Sequence, residues 1–80
     1  MSRGYEVVRH HLARNIKDLR AERATTQEEL ALQAELDRSY VSQIERAIGN
    51  PSLQVLTKLA EVLEVDVSAL LVVPKRGRRA

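Results

Sequence analysis

Apolar residues recur along this chain at helical spacing, and start and stop signals cut the pattern into five segments. Val8, Leu12, Ile16 and Leu19 fall on one stripe of a first helix over about residues 7–23, with Arg9, Arg14 and Lys17 off the stripe. Thr26-Gln27-Glu28-Glu29 is a capping box, in which the Thr26 hydroxyl and the Glu29 carboxylate satisfy each other's orphan amides, so a second helix opens at Gln27. It runs to about Ala34, because Leu36-Asp37 reads as an apolar residue followed by a new N-cap; Glu35, Leu36 and Asp37 make the turn. The third helix carries Val41 and Ile44 inward, leaves Arg38, Ser39, Ser42, Gln43 and Arg46 on other faces, and ends near Gly49-Asn50-Pro51. Ser52 caps a fourth helix with the stripe Leu53, Leu56, Leu59, Ala60 and Leu63, and Asp66 caps a short fifth with Val67, Leu70 and Leu71.

The pattern predicts an all-α fold of five helices in one domain over residues 7–73, followed by a basic tail over 74–80 that lacks apolar periodicity. At 80 residues a single core is only just adequate. With no Phe, no Trp, and Tyr5 and Tyr40 as the only aromatics, that core is built from Leu, Ile, Val and Ala, an inventory suited to short, closely packed helices. Cysteine is absent, which removes disulfides and thiolate metal sites and permits the reducing, cytoplasmic setting expected here. The longest apolar run, Val65 to Pro74, is interrupted by Asp66 and Ser68 and is shorter than the roughly 20 residues of a membrane span. Glu6, Arg9, His10, His11 and Arg14 interrupt the start, which is not a secretory signal.

Charge and candidate chemistry narrow the function. The net charge is +2, but Lys75, Arg76, Arg78 and Arg79 supply four of thirteen basic residues, and the nine others face eleven Asp and Glu. Global charge thus says little about nucleic acid, and placement has to decide. His10 and His11 point about 100° apart on a helix and do not readily share one metal. The three glycines are isolated, so no Gly-rich phosphate loop is present. No catalytic residue, cofactor or metal is predicted, and the chain is not read as an enzyme.

The second and third helices are each about two turns long, too short to stand alone, and cross steeply over a three-residue turn. Support from the other stripes leaves the polar side of the third helix protruding, a shape that fits a major groove about 12 Å wide. At this point the runs Thr26-Gln27-Glu28-Glu29-Leu30-Ala31, Leu36-Asp37-Arg38-Ser39-Tyr40-Val41-Ser42-Gln43-Ile44-Glu45-Arg46 and Asn50-Pro51-Ser52-Leu53 closely resemble the Cro/C1-type (XRE) helix-turn-helix family. The resemblance covers about residues 12–71. It implies a five-helix, lambda-repressor-like domain with the helix-turn-helix at about residues 27–46, acting as a sequence-specific regulator on double-stranded DNA.

The resemblance also implies roles for individual residues. Arg38, Ser39, Ser42 and Gln43 are candidates for base readout; Arg can bond two acceptors of guanine, and Gln two positions of adenine. Gln27 stands in the first turn of the second helix, where amides and dipole favour an anion, and is assigned to phosphate in preference to a merely solvated role. Arg46 and Asn50 are further phosphate candidates, and Tyr40 either bonds a phosphate or packs over the start of the second helix. Arg20 and Glu45 each follow an inward residue, Leu19 or Ile44, at the edge of a core stripe; the resemblance implies an ion pair between them that clamps the first helix to the third. Glu35 and Glu64 stand where the family usually has Gly, so either these residues take positive φ or the turns are remodelled.

One recognition helix reads only a few base pairs, so a symmetric homodimer on half-sites about 34 Å apart is expected. Leu70, Leu71, Val72 and Val73 are its candidate interface, unless they fold back on the core. With no room for a sensor domain, no small-molecule effector is expected, and regulation resembles that of phage Cro or restriction-modification controller proteins. The basic tail either reaches across DNA or is a solvated end. The competing reading is an antitoxin-type or other protein-interaction module, which a long extra segment for wrapping a partner would favour; only residues 1–6 and 74–80 are spare.

Overall fold

The computed structural model describes residues 4–75. Its helices are α1 (Tyr5–Glu22), α2 (Gln27–Ala34), α3 (Arg38–Glu45) and α4 (Leu53–Leu63), followed by a single 3₁₀ turn, Val67–Leu70; every regular element among the described residues is helical. The first helix therefore begins two residues earlier than the apolar stripe indicates, at Tyr5.

The expected fifth α-helix is corrected to that 3₁₀ turn. Asp66 caps it by accepting from the Ser68 N–H at 2.9 Å, and hydrogen bonds to Ser68, from its side chain and then its backbone, hold the Asp66 carboxyl below the usual range. Pro74 cannot supply the N–H that an α-helical continuation would bring to the Leu70 carbonyl. The Leu70 carbonyl accepts instead from Asn15 Nδ2 at 3.0 Å, and the Val72 carbonyl from the same nitrogen at 2.8 Å.

The other boundaries follow from local chemistry. The Thr26–Glu29 capping box is formed in full, and Ser52 Oγ accepts from the Val55 N–H at 3.1 Å to open α4. Asp37 occupies the N-cap of α3 without a side-chain cap hydrogen bond. Helix α3 ends at Glu45, short of Gly49: Ala47 turns left-handed at φ 58°, and the Ile48 N–H returns to the Gln43 carbonyl at 2.9 Å. Glu35 and Glu64 lie at φ 60° and 59°, so both turns keep a left-handed path despite lacking glycine.

One core joins these elements. Leu12 and Ile16 of α1, Leu30, Ala31 and Ala34 of α2, Val41 and Ile44 of α3, and Leu56, Leu59, Ala60 and Leu63 of α4 meet Leu70 in a single buried cluster. Leu70 is completely buried there, which removes it from the expected dimer surface: its side chain is spent on the monomer core. Leu71 packs partly against the same cluster, whereas Val72 and Val73 are exposed. This arrangement holds α3 from behind by α1 and α2, so the orientation of its outer face is set by packing rather than by the eight-residue helix itself.

Candidate nucleic-acid interface

Helix α3 divides sharply into two sides. Val41, Ile44 and Glu45 are buried, while Arg38, Ser39, Gln43 and Arg46 are exposed and Ser42 is half-buried. Positions 38, 39, 42 and 43 share one face by helical spacing, so the four base-readout candidates are brought together. No side-chain hydrogen bond or ion pair among the described residues engages Arg38, Ser39, Ser42, Gln43 or Arg46, leaving their donors and acceptors for a ligand.

At the edge of this face lies the ion pair expected from the sequence. Arg20 Nε and Nη2 donate to the two Glu45 carboxylate oxygens at 2.6 and 2.8 Å, a bidentate fork. The Glu45 side chain is 4% exposed and that of Arg20 20%, so most of the pair is out of water. The hydrogen bonds that Arg20 donates to Glu45 raise its pKa, partly opposed by burial; the guanidinium stays charged at every ordinary pH. Arg20 Nη1 also donates to the Thr25 carbonyl at 2.9 Å, tying the end of α1 to the residue before the α2 cap. The pair thus fixes α3 relative to both preceding helices.

Gln27 belongs to the same network, a link the sequence does not reveal. Its Nε2 donates to Glu45 Oε1 at 2.9 Å, which turns the amide nitrogen inward and leaves its second N–H for another acceptor. Gln27 and Arg38, assigned separately to phosphate and base, border one open depression of about 350 Å³ together with Arg20, Thr25, Thr26 and Glu28. With the Glu29 N–H taken by Thr26, the Gln27 and Glu28 amides of α2 remain without an intrahelical acceptor and favour an anion, and the Arg38 guanidinium adds positive charge, against the opposing Glu28 carboxylate at the rim.

Tyr40 is half-buried and packed against the core. Asn50 is exposed in the segment between α3 and α4. Lys75 is exposed, and the rest of the basic tail, Arg76, Arg78 and Arg79, lies outside the described residues. No group of three or more metal-ligating side chains occurs among the described residues, and no helix there is long and apolar enough to cross a membrane.

Two residues absent from the sequence-based assignments are structurally prominent. Asn15 is 1% exposed and holds the strand of backbone after the 3₁₀ turn, with its Oδ1 left buried without a donor. Its position between the stripe residues Leu12 and Ile16 is the signal that it faces inward. Tyr5 is the other: its hydroxyl donates to the Gly49 carbonyl at 3.0 Å, a contact across 44 positions that no local pattern carries.

Comparison with known proteins agrees with this architecture. A helix-turn-helix family model matches residues 16–70. The immunity repressor protein of Bacillus phage phi105 is 45% identical over 60 residues, 75% of this chain and 42% of that protein. The restriction-modification controller protein C.AhdI from Aeromonas hydrophila is 35% identical, with a TM-score of 0.75, 78% of this chain and 94% of that one being covered. The biofilm master regulator SinR, solved in complex with DNA, is 42% identical with a TM-score of 0.72, covering 76% of this chain and 98% of that one. The chain spans about half the length of the curated relatives it matches. The matched span, the helix order and the buried Arg20–Glu45 clamp together place the chain in the Cro/C1-type (XRE) helix-turn-helix family.

Proposed function

We propose that this protein is a sequence-specific, double-stranded-DNA-binding transcriptional regulator that lays α3 in the major groove. The observation that carries the proposal is the polar face of α3, uncommitted among the described residues and held out by buried Val41 and Ile44 on the opposite side and by the Arg20–Glu45 pair at its edge. The DNA-bound state of the relative SinR supports it. In this reading Arg38, Ser39, Ser42 and Gln43 read base edges, with Arg38 suited to guanine and Gln43 to adenine. Gln27, Arg46, Asn50 and the Tyr40 hydroxyl hold phosphates, which fixes register without reading sequence.

The working unit is a homodimer on a palindromic operator, as one eight-residue recognition helix spans too few base pairs for useful specificity. Exposed Val72 and Val73, with half-buried Leu71, supply its apolar contact after the correction of Leu70 to the core. Control is by protein concentration and operator arrangement, in the cytoplasm and without a small-molecule effector, the mode suggested by likeness to a controller protein. Selection from a random duplex library at fixed salt tests the proposal. Enrichment of a palindrome with half-sites about one helical turn apart supports it; recovery of unrelated sequences, with binding that depends only on salt, overturns it in favour of a protein-interaction module.

A further inference from the structure

The segment that leaves the recognition helix is gripped from α1. Gly49 sits at φ +85°, in the left-handed region that side chains disfavour. Its carbonyl accepts from the Tyr5 hydroxyl at 3.0 Å and from Arg9 Nη1 at 3.3 Å. The two donors are held as a unit, because the Arg9 guanidinium lies over the Tyr5 ring at 5.1 Å from its centroid and Arg9 Nη2 pairs with Glu6 at 2.6 Å. Tyr5 and Arg9 also border, with Asn50 and Pro51, one groove of about 170 Å³.

Holding this carbonyl fixes more than one oxygen. The Gly49–Asn50 peptide is planar and trans, so the Asn50 N–H is antiparallel to the Gly49 carbonyl in the same plane. An oxygen fixed toward α1 therefore points the Asn50 N–H away from α1. No backbone hydrogen bond among the described residues uses that N–H, and Asn50 is exposed.

We propose that Tyr5 and Arg9 are positioning residues for DNA binding, locking the Gly49–Asn50 peptide so that the Asn50 backbone N–H donates to a phosphate of the duplex entered by α3. The inference rests on the DNA-binding reading and extends it, giving the first turns of α1 a share in the backbone grip. Pre-ordering this peptide removes part of the ordering cost that a free loop bears on binding.

The test compares wild type, Tyr5→Phe, Tyr5→Phe/Arg9→Met and the charge-loss control Lys17→Met in the full chain. Affinity is measured for a library-selected duplex and for duplexes each carrying one methylphosphonate, and the Asn50 amide proton is followed by NMR. In the wild type, DNA moves this proton downfield, and one methylphosphonate weakens binding about three- to tenfold. The double variant melts close to wild type, binds about three- to tenfold more weakly than Lys17→Met, and loses both the downfield shift and the response to that methylphosphonate. Tyr5→Phe alone falls between. Wild-type affinity in the double variant, or weaker binding with the shift and methylphosphonate response intact, overturns the inference and leaves the DNA-binding reading standing. Failure of the wild type to select any duplex overturns both.

Discussion

Replacing Arg20 with Ala removes three hydrogen bonds together, two to Glu45 and one to the Thr25 carbonyl. Glu45, whose side chain is 4% exposed, then keeps, among the described residues, only the neutral Gln27 amide against its charge. Stranding one partner of a buried pair costs about 3–5 kcal/mol. A chain of this length holds only about 4–12 kcal/mol in total, so the substitution consumes much of its stability. At about 4–8 °C per kcal/mol for a domain of this size, the melting temperature falls by at least about 12 °C. Removing both charges has a different outcome: Arg20→Met/Glu45→Leu leaves no stranded charge and lies within about 2 kcal/mol of wild type. Thermal and urea unfolding followed by circular dichroism, at one protein concentration so that association is constant, measures all four corners of the cycle. An unchanged melting temperature for Arg20→Ala, or a double variant as unstable as the sum of suitable single variants, Arg20→Met and Glu45→Leu, refutes the clamp.

Other consequences can be measured in the same way. Glu35→Gly relieves a left-handed residue that has a Cβ and is exposed, and raises stability by about 1 kcal/mol; a lower melting temperature contradicts the strain argument. Asn15→Ala leaves the Leu70 and Val72 carbonyls without their donor, costs about 1–3 kcal/mol, and accelerates amide exchange after the 3₁₀ turn, whereas exchange unchanged there contradicts the proposed anchor. Val72→Asp/Val73→Asp places charge on the proposed dimer surface and yields monomer by analytical ultracentrifugation with melting little changed, while Leu70→Ala lowers melting directly; dimers persisting in the former remove these valines from the interface.

Much of the helical layout was legible because its signals are local. The Thr26–Glu29 box, the Ser52 cap and the stripes of α1 and α4 each lie within a few residues, and the structure reproduces them except at Leu53, which stands in the first turn of α4 and is 71% exposed instead of joining the core. Arg20 and Glu45 were also accessible, since each sits beside an inward residue and the family resemblance pairs them. The fifth element was misread because Asp66, Val67, Leu70 and Leu71 carry a helical stripe, while the donor that takes the Leu70 carbonyl is Asn15, more than fifty positions away. Leu70 shows the same limit: an apolar cluster near the end of the chain does not say which member the core takes. The Gln27–Glu45 and Tyr5–Gly49 contacts join distant elements and become visible only when α1, α2 and α3 are packed together.

The central claim is that the outer face of α3 reads base sequence. The most direct measurement takes the operator selected by the wild type and determines affinities for all its single-base substitutions, at fixed salt, using wild type, Arg38→Ala and Gln43→Ala. The account predicts that each variant loses discrimination of about 1–3 kcal/mol at its own base position in each half-site, while preferences elsewhere remain. Uniform weakening across every substituted operator, with the wild-type pattern of preferences retained, would contradict base readout by these residues.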